Sequence, residues 1–89
     1  MRIHKIKLSI EFCDTVISGE KSFEIRENDR GYQKGDHIKF LSVEANSGVR
    51  AYHEIEKREY EITYVINGWG LKNGYVAFGI KEVASDGEL

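Results

Sequence analysis

Lys21, Glu24 and Arg26 crowd together in the run Gly19-Glu20-Lys21-Ser22-Phe23-Glu24-Ile25-Arg26. Two cations beside one carboxylate can hold an anionic or carbonyl group while the carboxylate accepts hydrogen bonds from a nucleobase or a ribose. In an extended strand side chains alternate, so Ser22, Glu24 and Arg26 share one face and Phe23 and Ile25 the other. A carboxylate and a guanidinium then sit side by side over an apolar floor. Lys21 has the wrong parity and joins them only if the turn after Gly19 swings it round. The plainer alternative is a Glu24–Arg26 ion pair on a solvated strand face, worth about 0–1 kcal/mol.

Other residues extend this chemistry. Trp69 falls in the glycine-rich stretch 67–74 with Tyr75 beside it, where a ring can stack on an unpaired base for about 1–3 kcal/mol. The competing reading makes Trp69 a cap on an open barrel end and Tyr64 and Tyr75 rim residues. Arg30 and Lys34, in the polar loop 27–36, extend a local positive patch or are solvated loop residues. His4, His37 and His53 fall in separate elements without a cysteine partner, so no metal site is expected. Cys13 lies on an apolar helical stripe and reads as buried filler. No phosphate-binding glycine loop or Ser/His/Asp set is present, and no cofactor is implied.

The elements that must position these residues are short. Residues 2–8 interleave basic and apolar side chains as a half-buried strand. Ser9 is a plausible N-cap for a helix whose stripe runs through Ile10, Cys13 and Ile17 to Gly19 as C′ glycine. Strands follow at 22–26 and 37–43, the second with a bulge hinted by the shift to Leu41 and Val43. Asn46-Ser47-Gly48 signals a turn, and 49–59 reads weakly as strand. Tyr60, Ile62, Tyr64 and Ile66 alternate in a clear strand, and Val76, Phe78 and Ile80 in a closing one. The fold class is α+β, mainly β: five or six short strands with one early helix, in a small antiparallel sheet that hides its edges by curling into a barrel.

With 89 residues the chain has room for one domain, expected over 1–84 with a flexible tail at 85–89. The 40% hydrophobic content fits a folded globule. Neither a signal peptide nor an apolar run of membrane-spanning length is legible, so a cytoplasmic location is expected, with the lone thiol reduced. The net charge of −2 argues against a dedicated binder of duplex backbone, so any nucleic-acid contact must use a local patch.

The run SGEKSFEIRENDRGYQKGDHIKF, with its Gly-x-Lys-x-x-Glu-x-Arg spacing, resembles the ASCH (activating signal cointegrator homology) domains of the PUA-like superfamily. It is similar in particular to short bacterial and phage members of uncharacterised function. The resemblance implies a PUA-like β-barrel and a ligand cleft around Gly19, Lys21, Glu24 and Arg26. It favours single-stranded RNA or a modified nucleoside as partner; Ser22, Arg30, Trp69 and Tyr75 are further expected contacts, read from their own places in the strand and loops rather than from the resemblance. In ASCH-fold amidohydrolases that deacetylate N4-acetylcytidine the motif reads Gly-x-Lys-x-x-Thr-x-Arg, and its lysine and threonine are catalytic. Here Lys21 matches, Glu24 stands in the threonine position and would have to act as a base on water, and Ser22 offers a hydroxyl two residues earlier. A protein-interaction domain is a third reading.

Overall fold

The computed structural model describes residues 1–84, so the tail expected at 85–89 lies outside the described residues. Strand β1 (Ile3–Ser9) buries His4, Ile6 and Leu8 and turns Lys5 and Lys7 outward, as its alternation predicts. It pairs in parallel with β3 (His37–Val43), from Ile3 opposite His37 to Ser9 opposite Val43. Antiparallel pairing then continues through β4 (Tyr60–Asn67) and β5 (Tyr75–Glu82) to β2 (Phe23–Glu27), giving the order β1-β3-β4-β5-β2. The expected antiparallel barrel is thus corrected to an open, mixed five-stranded sheet. Parallel neighbours need a long crossover, and here helix α1 (Ile10–Ser18) and β2 lie between β1 and β3.

That topology leaves β1 and β2 as the two edges, and side chains bridge them where no backbone ladder does. Alternate carbonyls of a parallel strand point away from its partner, so β1 offers those of Lys5 and Lys7 at its free edge. Arg26 donates from Nη2 to the Lys7 carbonyl at 2.6 Å, and Arg30 from Nη1 to the Lys5 carbonyl at 2.9 Å. Arg2 reaches the carbonyls of Arg30 and Gly31 from the same side.

Helix α1 buries Cys13 and Val16 against the sheet and stops at Gly19, whose φ of 87° suits a residue without a Cβ; its N–H donates to the Val16 carbonyl. Ser9 is the N-cap residue, as expected, but its side chain makes no capping hydrogen bond. Its hydroxyl is left for the space in front of the helix.

Two strands break their sequence pattern. In β4 the register shifts between Ile62 and Tyr64. Tyr60 and Ile62 are buried, but after this bulge Val65 packs on the core while Tyr64 and Ile66 face solvent. A one-residue slip flips every later side chain to the other face. The bulge hinted at Leu41–Val43 is absent, since β3 pairs with β1 in unbroken register. Residues 49–59, read as strand, form a single bridge from Arg50 to Val43 and a 3-10 turn, Glu54–Lys57, that buries Ile55. The Glu56 carboxylate accepts from the Ser42 N–H at 2.9 Å and hydroxyl at 2.8 Å, so a side chain stands where a ladder partner would be.

Candidate functional site

Strand β2 is inverted. Glu24 is 3% exposed, while its apolar neighbours Phe23 and Ile25 are 48% and 52% exposed. The apolar pair is therefore a rim and not the floor that alternation suggested. Phe78, opposite Glu24 on β5, belongs to the core, and a carboxylate held inward beside it is tolerated only when charged or hydrogen-bonding partners offset its desolvation.

Those partners are Lys21 and Arg26. The turn after Gly19, fixed by the Lys21 N–H donating to the Thr15 carbonyl at 3.0 Å, brings the Lys21 ammonium onto Glu24 Oε2. Arg26 donates from Nε to Oε1 at 2.9 Å, and its Nη2 lies 2.8 Å from the same oxygen as an ion pair. Lys21 also donates to the Phe23 carbonyl at 3.0 Å and lies 5.2 Å from the Phe23 ring centroid and 5.4 Å from that of Phe12. An ammonium has three donors and a guanidinium five. With these contacts made, Lys21 keeps a third N–H and Arg26 its Nη1 group, and the cluster carries one net positive charge.

The cluster lines a cleft of about 380 Å³ walled by Leu8, Ser9, Phe12, Phe23 and Ile25. A planar, partly apolar group fits between such walls, with an acceptor aimed at the spare N–H groups. Sequence reasoning missed Ser9 and Phe12. Ser9 reads from sequence only as a helix cap, and Phe12, an apolar residue beside the helical stripe of Ile10, Cys13 and Ile17, reads as core, although it is 43% exposed over the cleft.

The other expected contacts are dispersed. Ser22 lines a separate small hollow with Val16, Ile17 and Tyr60, and its carbonyl accepts from the Ile80 N–H at 3.0 Å. Arg30 is in the bridge between β2 and β1, outside the cleft. Tyr75 faces Glu27 at the far end of β2 and lines a hollow with Asn28 and Lys72. Trp69 is 91% exposed in the β4–β5 loop. The histidines lie apart, each against a different carboxylate: His4 on Asp36, His37 on Glu59 and His53 on Asp14.

A family model described as "Domain of unknown function (DUF3850)" matches residues 3–80, which take in the helix and all of the sheet except the last two residues of β5. The chain belongs to the DUF3850 family. It is 34% identical over 62 residues to an uncharacterised 12.9 kDa protein of Escherichia phage P2, a match covering 70% of this chain and 55% of the phage protein. The chain therefore spans about half the length of that relative. Among solved structures, the crystal structure of the hypothetical protein PH0355 superposes with a TM-score of 0.60 at 17% identity, over 93% of this chain and 100% of that one. That likeness is one of fold. None of these names carries an activity. Among the described residues no helix is long and apolar enough to cross a membrane.

Proposed function

We propose that this DUF3850 protein is an ASCH-like, PUA-like module that binds single-stranded RNA or a modified nucleoside in the Lys21–Glu24–Arg26 cleft. The observation that carries the reading is the inverted strand. A solvated ion pair would leave Glu24 at the surface and Phe23 and Ile25 inside, whereas here the charged cluster is recessed and the apolar side chains frame its mouth. Buried carboxylates held by two cations are costly to build and concentrate at functional sites. The spare donors of Lys21 and Arg26 suit a carbonyl or ring-nitrogen acceptor of a base, and Phe12 and Phe23 supply apolar walls.

An amide-hydrolysing activity on an acylated cytidine is a second reading, favoured by one detail. The Ser9 hydroxyl, free of any cap bond, lines the same cleft as Lys21 and Glu24, where the resemblance calls for a hydroxyl nucleophile. Nitrogen-15 NMR titration with short single-stranded RNA, cytidine and N4-acetylcytidine tests both readings. Shifts centred on residues 21–26 and on Ser9 and Phe12, abolished by Lys21→Ala, are expected. Loss of the acetyl group in the parent protein but not in Ser9→Ala would favour the enzyme. Absence of shifts at low salt would reassign the cluster to structure and point to a protein partner.

A further inference from the structure

Beside the cleft, between edge strands β1 and β2, runs a second groove of about 480 Å³. Its polar lining is Lys5, Lys7, Arg26 and Arg30 against Glu27 and Asp29, so it is cationic in a chain of net charge −2. Arg26 lines both spaces and forms the wall between them. The two guanidiniums are anchored to carbonyls of residues two apart on β1, which places those anchor points about 7 Å apart at a strand's rise. That step is comparable to the distance between successive phosphates of an extended nucleic-acid strand. Lys5 and Lys7 stand on the solvent side of the same strand, exposed, and their side chains make no hydrogen bond or ion pair among the described residues. Strand register thus sets four cations in two rows along an open channel.

We propose that this seam groove carries the phosphodiester backbone of a single-stranded oligonucleotide whose base occupies the Lys21–Glu24–Arg26 cleft. The inference rests on the reading of the cleft given above and adds the ligand's class: an oligonucleotide and not a free nucleoside. The division of labour follows from the chemistry of the two spaces. The cleft has apolar walls and a recessed cluster with few spare donors, which suits a base. The groove has unpartnered lysines at its lip, which suit phosphates and gain affinity by releasing counterions. The backbone enters past Arg30 and reaches the cleft at Arg26, which lines both spaces.

The test compares the parent protein, Lys5→Ala/Lys7→Ala and Lys21→Ala by titration calorimetry. The probes are cytidine, a mixed-sequence single-stranded RNA hexamer, and hexaglutamate as a polyanion without bases, each over a series of salt concentrations. Circular dichroism confirms that the variants are folded, and Lys5→Arg/Lys7→Arg serves as the charge-keeping control. The expected result is that the parent binds the hexamer far more tightly than cytidine or hexaglutamate. The Lys5→Ala/Lys7→Ala protein should lose about tenfold or more for the hexamer at low salt and show a salt slope shallower by about 1.4, two phosphate contacts at about 0.7 each. Its cytidine affinity should be unchanged and the arginine control should restore the hexamer. Unchanged hexamer affinity and slope in Lys5→Ala/Lys7→Ala, with binding still lost in Lys21→Ala, overturns the groove and leaves the cleft. Hexamer binding that ignores Lys21→Ala but responds to the lysine pair overturns the cleft reading and with it the joint site. Equal affinity for hexaglutamate overturns the nucleic-acid assignment.

Discussion

Tyr60 is 3% exposed and its hydroxyl has no hydrogen-bond partner among the described residues, although its ring packs edge-on to Phe40 at 5.5 Å. Burial, with Glu82 adding to it, pushes the phenol up to about 12. A desolvated, unpaired hydroxyl costs about 1–3 kcal/mol, and the ring alone fills the space. Tyr60→Phe is therefore expected to raise the urea-unfolding free energy by about 1 kcal/mol; a loss of stability would reveal a partner for the hydroxyl. Glu24, equally buried, is the opposite case, because two cations meet both its oxygens. Cys13 shows the same contrast between filler and site. Burial first, then the charges of Asp14 and Glu56, push its thiol up to about 11. The thiolate is the reactive form, so a thiol reagent at pH 8 should label Cys13 only at the rate at which the protein unfolds. Fast labelling of the native state would contradict the burial.

At the scale of elements, the β4–β5 loop stores strain in a conspicuous place. The Leu71 N–H donates to the Gly68 carbonyl at 3.0 Å, closing a turn in which Trp69 has a φ of 52°. A bulky side chain in left-handed backbone costs about 1–2 kcal/mol, and an indole 91% exposed recovers nothing from packing. Trp69→Gly should thus stabilise the protein by about 1 kcal/mol in thermal or urea unfolding, and unchanged or lower stability would show that the indole contributes elsewhere. The loop's glycines made it legible in the sequence, as did the helix stop at Gly19. What alternation does not reveal is which face of a strand looks inward. In β2 the charged face does, because Lys21 arrives from a turn with the wrong parity. In β4 the bulge reverses the pattern halfway along an otherwise regular run of Tyr60, Ile62, Tyr64 and Ile66. Segment 49–59 was opaque because its order comes from Glu56 and Ile55 reaching across to β3, and not from any local period.

Across the whole molecule, strand order was the least legible feature, since the parallel pairing of β1 with β3 depends on contacts far apart in sequence. Two buried or half-buried carboxylates tie segments distant in sequence, Asp36 at the β1–β3 pair and Glu56 between the 3-10 turn and β3, and they set an acid limit on the fold. Asp36 ties the start of β1 to the turn before β3: it contacts His4 Nε2 at 2.8 Å and accepts from the N–H groups of Arg2 and Gln33, each at 3.2 Å. Glu56 ties the 3-10 turn to Ser42 and is clasped by Arg50 at 2.7 Å. Desolvation raises both carboxyls, but the hydrogen bonds outweigh it and hold each below its ordinary value. A carboxylate whose folded value is depressed binds protons more weakly than in the unfolded chain. Its contribution is therefore complete above the ordinary carboxylate range and is lost as pH falls through the folded value. The unfolding free energy should be level from pH 7 to about 5 and decline below that. Glu56→Gln should cost about 2 kcal/mol at pH 7, where a charge-assisted set of bonds is weakened, and should make the acid decline shallower. Urea titrations of both proteins at pH 7, 5 and 3 measure this, and parallel declines would mean that Glu56 is not among the groups whose protonation unfolds the sheet.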